Sequence, residues 1–190
     1  MHSLKPPAPG EPLPVCIADN PSRDHFFPLD VDACAAALRA LPERDRAGIT
    51  HLWLRRPRGR ARRHDQPLAR YTCGSGVRLV ELFAWRHDRR LPWRGAAPTE
   101  REIRHWQRFG AVFAQDADGW FAEFPLEGLQ RLFVYLLCHE VGHHVDWYRR
   151  HWSPPSLARC EEAAEQYAFR FTARGVQALR GDGDDWCEVP

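Results

Sequence analysis

The stretch Leu132-Phe133-Val134-Tyr135-Leu136-Leu137-Cys138-His139-Glu140-Val141-Gly142-His143-His144-Val145-Asp146 constrains this chain more than any other. It is strongly apolar, has no proline and carries glycine only at 142, so it reads as a buried helix. Residues four apart share a helix face. His139 and His143 therefore point the same way and can hold one metal ion, with Glu140 one residue along, leaning toward a water on that ion. Two imidazoles and a carboxylate in so apolar a helix are costly to bury unless something pairs them. A glycine inside a helix costs about 1 kcal/mol against alanine, so Gly142 is expected where a neighbouring backbone comes close.

His-Glu-x-x-His is the pattern in which two histidines ligate zinc and the glutamate serves as general base. Two histidines and a water leave zinc one protein ligand short. The chain that follows, Ser153 to Phe171, supplies candidates. Ser153 and Pro154 suit a helix start. Leu157, Cys160, Ala164, Tyr167, Ala168 and Phe171 recur at helical spacing, and Gly175 is placed as the C-cap. Glu161, Ala164, Glu165 and Ala168 lie together beside that stripe. The small alanines predict a close approach to the first helix, with both carboxylates in reach of the metal.

His139-Glu140-x-x-His143, followed on a second helix by Glu161-x-x-Ala164-Glu165-x-x-Ala168, resembles the gluzincin clan of zinc metallopeptidases. The resemblance spans about 126–174. It implies Zn2+ held by His139, His143 and Glu161, with Glu140 as the general base. Glu165 is then the partner that orients a ligand histidine, although aspartate or asparagine is more usual at that place. Glu162 and Glu165 are the alternative third ligands. Metzincins extend the motif with a glycine and a third ligand where this chain has Asp146 and Arg149, and His144 and His151 fall at the wrong spacing. His144 is expected behind the ligands or at the surface.

The rest of the chain fits one domain with a core of its own. Net charge is +2 over 190 residues, so bulk electrostatics does not demand a nucleic-acid partner. Residues 1–28, with six prolines from Pro6 to Pro21, read as an extended arm, draped on the domain through Phe26 and Phe27 and barred from a central strand. Residues 29–176 form the metallopeptidase-like domain, and 177–190 an acidic tail. Asp30 caps a helix to Leu41, and Ile49–Leu54 reads as a strand. Ala69–Cys73 and Val77–Ala84 form a hairpin around Gly74-Ser75-Gly76. A loop rich in Trp, Arg and Pro comes next, then a helix over Thr99–Arg108. Ala111–Gln115 and Trp120–Phe124 flank a second hairpin turn, and the motif helix covers Leu126–Tyr148. The fold class expected is α+β: a small, mainly antiparallel sheet packed with an active-site helix and a second metal-ligand helix, zincin-like. The resemblance implies an exposed sheet edge past the metal, where an extended peptide adds as a strand. Trp120–Phe124 and Val77–Ala84 are the candidates for it.

These features point to hydrolysis of a peptide or protein substrate by a zinc-activated water. Tyr148, Tyr167, His105 and His64 are candidates for the donor to the developing oxyanion. The competing reading is a catalytically silent zinc-stabilised module that binds protein or nucleic acid. Retention of Glu140 favours the enzyme, because a structural zinc needs no general base. Arg55–Arg63, with six arginines in nine residues, reads as a solvated loop, or as a contact for an acidic protein or a nucleic acid. A self-inhibited precursor is a further reading, in which the acidic tail, with Asp184, Asp185 and Cys187, reaches the zinc. Six widely spaced cysteines form no zinc-ribbon pattern and are expected as reduced thiols. No apolar run is long enough to cross a membrane, the start lacks a signal-peptide core, and the expected location is cytoplasmic.

Overall fold

The computed structural model describes residues 4–21, 23–56, 67–93, 97–149 and 157–180. Within them the fold is α+β, with five helices and three small sheets. None of the helices is long and apolar enough to cross a membrane.

The largest sheet has four strands: β1 (Val15–Ala18), β3 (His51–Arg55), β5 (Val77–Phe83) and β4 (Ala69–Gly74), in that spatial order. β1 runs parallel to β3 and β3 parallel to β5, while β4 is antiparallel to β5. This corrects the expectation of a single, mainly antiparallel sheet. The hairpin fixes only the β4–β5 pairing. The parallel pairs join segments far apart in sequence, which local pattern does not reveal. The proline-rich arm supplies β1, at an edge, where strand prolines are tolerated. Pro6 lies near Gly76, and Phe26 and Phe27 are half-buried against the core, so the described arm belongs to the domain.

β2 (His25–Phe26) pairs with β6 (Trp85–Arg86). β7 (Arg90–Trp93), β9 (Gly119–Glu123) and β8 (Val112–Asp116) form an antiparallel sheet with β9 in the middle. The stretch expected as a Trp-, Arg- and Pro-rich loop thus contains two short strands, and Pro92 sits in an edge strand, where a missing N–H is harmless.

Two helix starts follow their capping residues. α1 (Val31–Arg39) begins where Asp30 Oδ1 accepts from Ala33 N at 2.7 Å. α3 (Glu100–Gln107) begins with a capping box between Thr99 and Glu102. α2 (Glu43–Arg46) is a single turn. The core lies between the four-stranded sheet, α1, α4 (Leu126–Arg149) and α5 (Leu157–Arg180). Leu132, Phe133, Val134, Leu137, Cys138, Val141 and Val145 of α4 are all buried.

α5 runs through Gly175 to Arg180, so Gly175 is no C-cap and the expected tail boundary at 177 falls inside a helix. The glycine is there for space: a β-carbon on it would come within 2.6 Å of Val134 Cγ1. Residues 181–190, including Asp184, Asp185 and Cys187, lie outside the described residues, as do Ser153, Pro154 and most of the Arg55–Arg63 run. Arg55 itself is not in a solvated loop. It ends β3 and pairs with Glu81, which is buried. The five described cysteines are free thiols.

Candidate metal centre

α4 and α5 pack side by side at Gly142. A β-carbon there would lie 2.7 Å from Ala164 Cα and 3.0 Å from Ala164 O. Gly142 and Ala164 together let the two backbones touch, and the turns on either side are brought into register. One turn away, His139 Nε2 lies 3.1 Å from His143 Nε2. Glu161 reaches across from α5, with one carboxylate oxygen 3.3 Å from His139 Nε2 and the other 3.6 Å from His143 Nε2. Among the described residues these three side chains form a group whose ligand atoms all lie within 4.8 Å of one another. Tetrahedral ligands at zinc bond lengths stand about 3.3 Å apart, and the closest approaches between the three side chains, 3.1, 3.3 and 3.6 Å, are near that value, so the donor types and their proximity suit that ion.

The surroundings keep His139 in the form that can bind a metal. Burial, reinforced by His143, holds it below the ordinary histidine range, against the pull of Glu161. A neutral imidazole offers a lone pair. His139 Nδ1 is buried without a hydrogen-bond partner among the described residues. Glu165 lies on the same cleft wall and adds negative charge near His139, His105 and Tyr135.

Glu140 is buried at 5% exposure. Its carboxyl is pushed up to about 8, first by burial and then by the charge of Glu161. The Tyr71 backbone N–H donates to it, and with Arg70 this pulls in the opposite direction. Tyr71 is thus a site residue that sequence reasoning missed. Its phenol is engaged elsewhere: O–H and His144 Nδ1 are 2.9 Å apart, and His144 Nε2 is 2.9 Å from Ala47 O. A carbonyl only accepts, so Nε2 carries the proton and Nδ1 accepts from Tyr71. His144 is buried at 1% exposure, which rules out the surface placement, and burial holds it below its ordinary range. It ties the motif helix to β4 and to the end of α2.

The group opens into a cleft of about 910 Å³ whose walls are β4, α3, α4 and α5. The strand along it is β4, with Leu68, Ala69, Arg70 and Tyr71 among its lining residues. Neither expected edge is one: β5 is paired on both sides by β3 and β4, and β9 on both sides by β7 and β8. Of the expected oxyanion donors, His105 lines the cleft. Tyr167 does not; its O–H donates to the buried Asp45 at 3.1 Å. His64 and the Tyr148 side chain lie outside the described residues. Arg101, Trp106, Arg108 and Trp147 also line the cleft, unanticipated from sequence. Comparison of the chain with family models, curated proteins and solved structures finds no match.

Proposed function

We propose that the chain is a zinc-dependent peptidase, with His139, His143 and Glu161 as metal ligands and Glu140 as general base. The observation that carries this reading is the convergence of two imidazoles and a carboxylate, with ligand atoms within 4.8 Å of one another, beside a buried carboxyl in a cleft open to substrate. Zinc bound there would acidify a water and polarise a scissile carbonyl. The chain's own residues carry the rest. Glu140, oriented by the Tyr71 N–H, accepts the water proton and returns it to the leaving amine. Its ordinary range lies well below neutrality. In the metal-free chain burial and the charge of Glu161 raise it above that range, and a zinc ion bound beside it would draw it back toward the form that accepts a proton. β4 bonds β5 on one side and borders the cleft with the other, so an extended peptide can add along it as a further strand.

The first experiment is native mass spectrometry of the parent and of Glu161→Ala, counting zinc, followed by incubation of the zinc-loaded parent and Glu140→Gln with peptide pools. One zinc in the parent, weakened retention in Glu161→Ala, and cleavage by the parent alone support the proposal. No zinc in a folded parent would sink it. Zinc held equally by both proteins would move the third ligand to Glu162 or Glu165. Zinc without cleavage would favour the silent interaction module.

A further inference from the structure

Three arginines, Arg70, Arg101 and Arg108, gather around the cleft. Arg55, Arg86, Arg90 and Arg104 each pair with a carboxylate. Arg70, Arg101 and Arg108 line the cleft, are exposed, and form no ion pair among the described residues. Arg101 and Arg108 lie seven residues apart on one face of the helical turn sequence, with His105 between them, so they stand in a row along the α3 wall. Arg70 stands on the facing strand. Arg108 is held in place: its guanidinium carbon lies 4.7 Å from the centre of the Phe169 ring, and its carbonyl accepts from Arg131. A guanidinium resting on an aromatic ring keeps N–H groups for a carboxylate.

None of the cleft carboxylates forms an ion pair with these cations among the described residues, although the charge of Arg70 acts on Glu140. Glu161 faces the two histidines. Glu140 is buried and held by the Tyr71 N–H. Glu102 is engaged in the capping box, where its Oε2 accepts from Thr99 N and Oγ1, both at 2.7 Å. Glu165 alone is left opposite three guanidinium groups.

We infer that the cleft selects peptides carrying a carboxylate close to the bond it acts on, and that Arg101 and Arg108 on the α3 wall receive that group. This rests on the peptidase reading for its catalytic part and is testable without turnover. The shared chemistry is a carboxylate, supplied by an acidic side chain or by a free C-terminus.

The test uses zinc-loaded Glu140→Gln, which holds peptide uncleaved, and fluorescent peptide pools of fixed background. The pools contain a single Glu or a single Gln, each with a free or an amidated C-terminus, and binding is read by anisotropy. Tighter binding of the carboxylate-bearing pools by about tenfold or more is expected, the scale of one charge-assisted contact. The preference shrinks with added salt. Adding Arg101→Gln and Arg108→Gln brings the ratio toward one, with zinc content as the control that the centre survives. Discrimination by side chain with amidated ends assigns an internal acidic residue; discrimination only between free and amidated ends assigns the C-terminus. Equal binding of all four pools, or an undiminished preference after the arginines are replaced, overturns the inference. Turnover of the same pools by the parent reports on the peptidase reading separately, so failure of one does not pass for failure of the other.

Discussion

Ala164 Cα stands 2.7 Å from the point where Gly142 would carry a β-carbon. The obstacle is backbone, which cannot rotate out of the way. Gly142→Ala would gain about 1 kcal/mol in helix propensity, but it forces α4 and α5 apart, at a cost of about 1–3 kcal/mol for overpacking. The expected outcome is lower thermal stability together with weaker zinc retention, because the proposed ligands come from both helices. Gly175→Ala is the control. Its new methyl would stand 2.6 Å from Cγ1 of the fully buried, β-branched Val134, so it should also cost stability, but it lies several turns along α5 from Glu161 and should leave zinc retention intact.

Glu140 makes the stability of the metal-free protein depend on pH in an identifiable direction. Its folded pKa, about 8, lies above the ordinary 4.5. A raised acid favours the folded state while protonated, so its contribution is full below 4.5 and is lost as pH climbs to about 8. Glu140→Gln removes that dependence. Metal-free Glu140→Gln should therefore gain on the metal-free parent across this window, and the gap should level off above it. Parallel slopes of denaturation midpoint against pH would contradict the burial argument.

Four histidines act in the opposite sense. Burial holds His51, His105, His139 and His144 below the ordinary 6.5. The unfolded chain takes up these protons first as pH falls, so stability is lost below about 6.5 and is flat above it. Urea midpoints of metal-free Glu140→Gln, measured from about pH 8 to about pH 5, isolate this slope from that of Glu140.

Tyr71→Phe removes the O–H that His144 Nδ1 accepts and leaves that nitrogen buried. A cost of about 1–3 kcal/mol is expected. The Tyr71 N–H to Glu140 survives the substitution, so activity against any cleaved peptide should fall less than in Glu140→Gln. An unchanged midpoint would mean that the Tyr71–His144 contact contributes nothing.

The clustering of His139, His143 and Glu161 was legible in sequence for a local reason. His139 and His143 are four residues apart on one helix, Glu161 is on the next, and the small residues Gly142 and Ala164 announce the contact between them. Asp30 and the hairpin glycines likewise fixed their elements by short-range chemistry. What sequence pattern missed is non-local. Tyr71 and His144 meet across 73 residues, and Tyr167 and Asp45 across 122. Which strand borders the cleft depends on β1 and β3 occupying the far side of β5, and nothing in the alternation of Val77–Phe83 records that. Gly175 misled because a glycine near a helix end signals a cap as readily as it signals a close contact.

The parallel pairing of Val15–Ala18 with His51–Leu54 has a bearing on how the protein can be handled. A proline-rich beginning invites trimming, yet cutting back to residue 29 would strip the neighbour from β3. It would bare a row of backbone donors and acceptors beside Leu52, Trp53 and Leu54. Such an edge recruits strands from other molecules. The prolines before Val15 and the short length of β1 make it a poor template for that pairing, so a chain shortened to residue 29 is expected to self-associate more readily than the parent.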